Sequence, residues 1–192
     1  KVLKSSKKIK ILIAAHSFSD APHAYGNNFF PDTFEWLESI GKISNNTDYE
    51  WYIKCHPDTA VYFDNTIKLI KEYTKRYPNI NYLDNKIFHN QLIKEGVDYA
   101  LTVNGSIGGE YPFFGVNVIN ASKNHSQKDY DFNITPKNKK EYLQLLKSLK
   151  KPKKVKKMMQ VLEHYYMKYE YFNPRWFFND PNKVKYLVGS HK

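Results

Sequence analysis

A buried strand passes into a helix at Thr102-Val-Asn-Gly-Ser-Ile-Gly-Gly-Glu110, where an apolar run that begins at Val97 ends in small residues and then meets a carboxylate. The glycines let the backbone approach a ligand closely, and free N–H groups and the dipole at a helix start favour an anion. Ser106 adds a hydroxyl, and Glu110 is expected about one turn into the helix. Tight packing alone also produces such turns, so the interpretation depends on the neighbouring strands.

A second apolar run ends at a histidine. In Trp51-Tyr-Ile-Lys-Cys-His-Pro57 the aromatic and β-branched residues predict a strand, and the proline prevents it from continuing. His56 is thus placed at a carboxyl end. Ligands of open parallel sheets bind in the crevice outside the carboxyl ends of the strands, so His56 and Ser106 would face the same crevice if their two strands are parallel neighbours.

Two further runs have polar endings. Ile9-Lys-Ile-Leu-Ile-Ala-Ala15 precedes His16-Ser-Phe-Ser-Asp-Ala-Pro-His23, and Val116-Asn-Val-Ile-Asn-Ala-Ser122 leads to His125, Asp129 and Asp131. Four strand exits that carry titratable side chains predict a binding site. His16, Asp20 and His23 could coordinate a metal, but their spacing is not that of a standard zinc site, and we expect no metal.

Strands and helices alternate along the chain, as in βαβ units. Strands are predicted at residues 9–15, 51–55, 80–83, 97–103 and 116–122, and helices at 31–40, 59–77, 90–95, 110–114 and 139–149, with Gly41 ending the first helix. From Val155 the apolar residues follow helical spacing to Tyr169, so the lysines before them are interpreted as the outer face of an amphipathic helix. The pattern predicts an α/β Rossmann-like domain over residues 1–150, with a parallel sheet covered by helices on both faces, and a helical extension over 151–192 that packs on it.

Several of these stretches together resemble the carboxyl-terminal half of bacterial capsule and surface-polysaccharide glycosyltransferases, over roughly residues 9–150. The stretches are His16 to His23, Phe30-Pro-Asp-Thr-Phe-Glu-Trp36, Lys54-Cys-His-Pro57, Thr102 to Pro112, Val118-Ile-Asn-Ala-Ser122 and Tyr130-Asp-Phe-Asn133. Such enzymes are similar to the GT-B class, in which two Rossmann-like domains face each other. The chain departs from them at Cys55, where relatives often have proline or a small residue, and at Gly105-Ser106, where Gly-Thr or Ser-Ser is common.

The resemblance implies a donor-binding domain that helps transfer a sugar from a CMP- or UDP-linked donor to a surface polysaccharide or a lipid-linked precursor, without a cofactor. The implied contacts with the donor and its phosphate come from Lys54, His56, Asn104, Gly105, Ser106, Gly108, Glu110, His23 and His125. His56 and the amides of Gly105 and Ser106 would stabilise the departing phosphate. His16 and Asp20 are the only local candidates for catalytic proton transfer, and the general base is expected from an acceptor-binding half upstream of Lys1.

Other functions remain open at this point. Nucleotide-sugar epimerases, transferases of polyol phosphate from a CDP-alcohol, and non-catalytic nucleotide-binding modules would use a similar crevice. Cys55 next to His56 could be a nucleophile, but adjacent strand residues point to opposite faces, which favours a buried thiol.

The net charge of +11 is concentrated at the amino terminus and in residues 147–157. This run is interpreted first as a solvated helix face, then as a peripheral contact with an anionic membrane, and last as a nucleic-acid site, because no nucleic-acid-binding motif accompanies it. The 192 residues, 41% of them hydrophobic, contain one cysteine and no apolar run long enough for a membrane span. We expect a cytoplasmic enzyme, with peripheral association at the inner face of the plasma membrane as the alternative.

Overall fold

The computed structural model describes residues 1–18, 26–56, 65–153, 155 and 157–171. Within them, strands and helices alternate in the order β1 (Lys10–Ala15), α1 (Thr33–Ser44), β2 (Glu50–Cys55), α2 (Thr66–Arg76), β3 (Ile80–Leu83), α3 (His89–Lys94), β4 (Tyr99–Thr102), α4 (Ile107–Phe113), β5 (Asn117–Asn120), α5 (Lys139–Lys147) and α6 (Met158–Tyr165), followed by a π-helical segment (Tyr166–Tyr171).

The five strands form one parallel sheet in the order β3-β2-β1-β4-β5. This is a Rossmann-like α/β fold, and the class predicted from the sequence is confirmed. The order reverses between β1 and β4, which is where open α/β sheets form a ligand crevice. The strands before His56 and Ser106 are parallel but are not neighbours, because β1 lies between β2 and β4.

Helices cover both faces of the sheet, because side chains alternate along each strand. Ile11 and Ile13 of β1 belong to a core that includes residues of α1, α2 and α5. Leu12 and Val118 belong to a second core with residues of α3 and α4. The continuous apolar runs of the sequence therefore reflect strands buried on both sides.

The first helix, Thr33–Ser44, begins two residues later than predicted and ends four residues later. Asp32 is the N-cap, and its carboxylate accepts a hydrogen bond from the amide of Glu35 at 2.8 Å. Gly41 does not end the helix, which continues to Ser44. A Cβ at Gly41 would lie 2.5 Å from the ring of Tyr77, so the glycine allows close packing of that ring and is not a stop signal.

The other boundaries are close to those predicted. β3 matches to the residue, α3 begins one residue early, and α4 begins at Ile107, which places Glu110 in its first turn. The helix predicted over residues 59–77 lies partly outside the described residues, and its described part is α2.

The carboxyl-terminal helix differs most from its prediction. α6 begins at Met158, so Lys150, Lys151, Lys153 and Lys157 lie in irregular chain before it and do not form a face of this helix. α6 packs on α4 through Val161 and His164, which are buried, and a Cβ at Gly109 would lie 3.1 Å from His164 Nε2. The apolar stripe that was expected to be buried is therefore exposed. Gly109 on α4 leaves room for His164, so the other side of α6 packs against α4.

Candidate functional site

A crevice of about 160 Å³ opens at the carboxyl ends of β1, β2 and β4, at the reversal of strand order. Six of the predicted site residues line it together: His16, Lys54, His56, Gly105, Ser106 and Glu110. The remaining lining residues are Ala14, Ala15, Cys55, His89, Thr102 and Ile107. Three of the four strand exits singled out in the sequence thus converge on one crevice.

Lys54 is the most informative side chain of the crevice. It is only 3% exposed, and its Nζ donates one hydrogen bond, 3.2 Å to the carbonyl oxygen of Asn85. Among the described residues no carboxylate forms an ion pair with it. Burial lowers its pKa from the ordinary value, although the nearby Cys55 and Asp84 oppose this. A buried ammonium group that is paired only with a neutral carbonyl oxygen attracts an anion to the crevice.

The turn between β4 and α4 is held by Thr102. Its hydroxyl oxygen accepts the amide hydrogen of Gly105 at 3.0 Å, and a Cβ at Gly105 would lie 2.8 Å from that oxygen. The Gly105 amide is therefore already paired within the turn, which disagrees with the expectation that it contacts a phosphate. Ser106 is exposed, and its hydroxyl makes no capping bond to α4, so it faces the crevice for other contacts.

His16 is held against the same turn. Its Nε2 lies 3.1 Å from Thr102 Oγ1 and accepts the amide hydrogen of Val103 at 3.3 Å. An N–H donor requires a lone pair on Nε2, so the neutral ring carries its proton on Nδ1. The geometry favours a positioning role for His16, since neither ring nitrogen is arranged to abstract a proton.

His89, the first residue of α3, lines the crevice but was not predicted as a site residue. Its Nδ1 lies 2.7 Å from the hydroxyl oxygen of Tyr111. Burial lowers the pKa of His89, and so does the positive charge of Lys54, whereas Glu110 acts in the opposite direction. Burial raises the pKa of Tyr111, so its hydroxyl stays protonated. The sequence signal was weak, because His89 lies at the start of α3, several residues after β3 ends at Leu83, whereas His16 and His56 directly follow their strands.

Glu110 and His56 complete the titratable rim of the crevice. Glu110 is half-buried in the first turn of α4, and its carboxylate makes no hydrogen bond or ion pair with a described residue. His56 is exposed immediately after β2. Among the described residues that line it, the crevice thus combines a buried cation, three imidazoles and one carboxylate.

Other predicted residues lie elsewhere. His125 is buried, with Nε2 3.0 Å from Thr135 Oγ1 and Nδ1 3.3 Å from Gln127 Oε1, and does not line the crevice. Burial lowers its pKa, although the bond to Gln127 opposes this. Gly108 is buried where a Cβ would lie 2.7 Å from that same Gln127 oxygen, so it serves packing. Asn104 does not line the crevice either.

Asp20 and His23 lie outside the described residues. Within the described parts of the chain, no three His, Cys, Asp or Glu side chains are grouped closely enough to hold a metal ion. Over the same residues, every helix is too short or too polar to cross a bilayer.

The chain matches no protein-family model, and no curated protein is significantly similar to it in sequence. Functional reasoning therefore depends on the fold and on the chemistry of the crevice.

Proposed function

We propose that the crevice binds the phosphate groups of a nucleotide-activated sugar, and that the domain is the donor-binding part of a glycosyltransferase for a bacterial surface polysaccharide or its lipid-linked precursor. The observation that carries the proposal is Lys54, a buried ammonium group without a carboxylate partner among the described residues, placed at the reversal point of a Rossmann-like sheet. The succession of motifs around His56 and Ser106 supports the sugar donor in particular.

In this proposal different side chains contact different parts of the donor. Lys54 and His56 stabilise the charge that develops on the departing phosphate as the glycosidic bond breaks. Ser106 donates a hydrogen bond to a phosphate oxygen, and Glu110 accepts hydrogen bonds from ribose hydroxyls. Because His16 is engaged by the β4–α4 turn, the base that deprotonates the acceptor hydroxyl is supplied by a part of the enzyme other than this crevice.

The size of the crevice agrees with a domain that holds only part of its ligand. At about 160 Å³ it is smaller than the roughly 300–1,000 Å³ of a complete ligand pocket. It accommodates the phosphate and ribose, while the sugar extends outward to a facing surface. The donor is a CMP- or UDP-linked sugar in this proposal.

The first test is calorimetric titration of the 192-residue chain with CMP, CDP, UDP and GDP. We expect selective binding of one nucleotide, with affinity reduced in His56→Ala and Ser106→Ala. Lys75→Ala, which changes an exposed lysine in the last turn of α2 that does not line the crevice, is the control. If a folded sample binds none of the four nucleotides and no inorganic pyrophosphate, the proposed site is wrong.

A second test separates transfer from binding alone. The full-length enzyme is incubated with the donor selected by calorimetry and a polysaccharide acceptor, and products are analysed by mass spectrometry. Extension of the acceptor by one sugar supports the proposal. Epimerised donor, transferred polyol phosphate or the absence of any turnover would each refute it in favour of another nucleotide-binding function.

A further inference from the structure

The exposed side of α6 and the segment after it carry an apolar stripe. Its members follow helical spacing and are 78%, 45%, 55% and 56% exposed, in the order Met159, Leu162, Tyr166 and Tyr169. The opposite side of the helix, at Val161 and His164, is buried against α4. Phe113 and Phe114, at the end of α4, are also exposed, and Phe113 packs beside Tyr165 with ring centroids 6.2 Å apart. Large apolar patches of this kind mark interaction surfaces.

Positive charge surrounds the start of the stripe. Between residues 147 and 171 the sequence has eight lysines and two glutamates, Glu163 and Glu170. Lys151 and Lys157 form ion pairs with Asp98 and Asp131. Lys150 and Lys153 are exposed and have no ion-pair partner among the described residues.

The amino-terminal lysines reach the same region. Lys151 Nζ lies 3.4 Å from the carbonyl oxygen of Lys8, so the two basic runs of the sequence meet in space. Lys4 and Lys7 are exposed, and Lys8 forms an ion pair with Asp48. The two basic runs therefore form one basic region, joined through Lys151.

We propose that this surface, defined by the stripe from Met159 to Tyr169 together with Lys150 and Lys153, docks the protein on an anionic lipid bilayer. Tyrosine, leucine and methionine side chains suit the boundary between headgroups and acyl chains, and nearby lysines suit anionic headgroups. A nucleic acid would use the lysines but not the stripe. An apolar protein surface would use the stripe but gain little from the lysines.

The direction of α6 relates this surface to the crevice. The amide of Val155, just before α6, donates a hydrogen bond to the carbonyl oxygen of Gly115 at the far end of α4, whereas His164 lies beside Gly109 in the first turn of α4. α6 therefore runs back along α4 toward the crevice, and the Glu110 carboxylate is among the groups that raise the pKa of Tyr165. The docking proposal does not depend on the proposed function. If both hold, the crevice opens close to the membrane plane, within reach of a lipid-linked acceptor.

The test is cosedimentation of the 192-residue chain with vesicles of phosphatidylcholine alone, or with about two-fifths phosphatidylglycerol, at low and high salt. We expect binding to the anionic vesicles that salt weakens, and weaker binding to the neutral ones. No binding to anionic vesicles at low salt would overturn the proposal and leave a protein partner or another part of the chain to cover the stripe.

Two variants separate the apolar and ionic contributions. The stripe variant, Met159→Ser with Leu162→Ser and Tyr166→Ser, changes only exposed side chains and is expected to lose binding to both kinds of vesicle. Its control, Phe34→Ser with Leu69→Ser, removes similarly exposed side chains from α1 and α2 on the opposite face of the sheet and is expected to bind as the wild type.

The ionic variant, Lys150→Gln with Lys153→Gln, is expected to bind anionic vesicles roughly 30-fold more weakly, at about 1 kcal/mol per lysine, and neutral vesicles unchanged. Its control is Lys68→Gln with Lys75→Gln on α2, which removes the same charge elsewhere. Binding that depends on the lysines but not on the stripe would refute docking on a bilayer. Dimerisation of the wild type through the stripe, measured by light scattering, would also refute docking on a bilayer. Unchanged thermal unfolding and far-UV circular dichroism show that each variant is folded.

Discussion

Replacing Lys54 with methionine is predicted to stabilise the free protein and at the same time to weaken nucleotide binding. Methionine keeps most of the apolar stem and removes the buried charge. Desolvation of an ion costs several kcal/mol, and the hydrogen bond to the Asn85 carbonyl returns about 1.5–3 kcal/mol. We expect a net gain of about 1–2 kcal/mol in the free energy of unfolding, which raises Tm by about 2–8 °C for a domain of this size.

Although Lys54→Met is expected to raise stability, it is expected to lower the affinity for the nucleotide. A charge-assisted hydrogen bond to phosphate contributes about 1.5–3 kcal/mol, so Kd is expected to increase roughly 10- to 150-fold. Urea denaturation gives the stability, and calorimetry with the selected nucleotide gives Kd. The matched control is Lys10→Met, at the amino end of β1: Lys10 is also buried, and its Nζ donates to the Ser6 carbonyl oxygen at 3.2 Å. Its Kd should equal that of the wild type.

The pH dependence provides an internal check. Because the pKa of Lys54 is lowered in the folded state, the folded protein loses this proton at a lower pH than the unfolded chain. The stability of the wild type therefore rises relative to Lys54→Met as the pH approaches the ordinary lysine pKa of 10.5. A variant that is clearly less stable than the wild type, with unchanged Kd, would refute the reasoning and make Lys54 a structural residue.

Three further predictions concern the fold and the crevice. Gly41→Ala should lower the free energy of unfolding, measured by chemical denaturation, by about 1–3 kcal/mol, because the new Cβ would lie 2.5 Å from the Tyr77 ring and overlap it. Helix propensity alone predicts an increase in stability, and that result would contradict this prediction. Tyr142→Phe should lower the free energy of unfolding by about 1–3 kcal/mol, because the indole N–H of Trp36, which is 2.9 Å from the Tyr142 hydroxyl oxygen, would be buried without an acceptor. Thermal unfolding no different from that of the wild type would count against it. His89→Gln should reduce the loss of stability on acidification below the ordinary histidine pKa of 6.5. Because the pKa of His89 is lowered in the folded state, the unfolded chain takes up this proton at a higher pH than the folded protein does, which favours unfolding in the wild type. Identical profiles of stability against pH for both proteins would exclude that contribution.

The polar ends of the strands were the most successful part of the sequence analysis. An apolar run that stops at a proline or at glycines marks a carboxyl end without any knowledge of neighbours, and parallel strands bring such ends to one edge. His16, His56, Ser106 and Glu110 were identified in this way, and all four line one crevice, together with Lys54, which the family resemblance implied.

Two histidines, His89 after β3 and His125 after β5, show what the strand ends alone do not predict. His89 was missed because its strand, β3, is short and its exit holds no motif, yet α3 places it against Tyr111 and the crevice. His125 was included because β5 also ends in polar residues. Its side chain instead bonds Gln127 and Thr135, and it takes no part in lining the crevice.

The alternation of apolar runs and amphipathic segments was enough to establish the α/β class and its parallel strands, because both depend on local periodicity and on the length of the connections. Strand order and the side of α6 that is buried depend on contacts between residues that are distant in the sequence. The clearest case is α6, whose stripe has the spacing of a buried face. Val161 and His164 face α4 instead, with His164 close to Gly109, so the stripe points outward, and no local pattern encodes which side of a helix will pack against its neighbour.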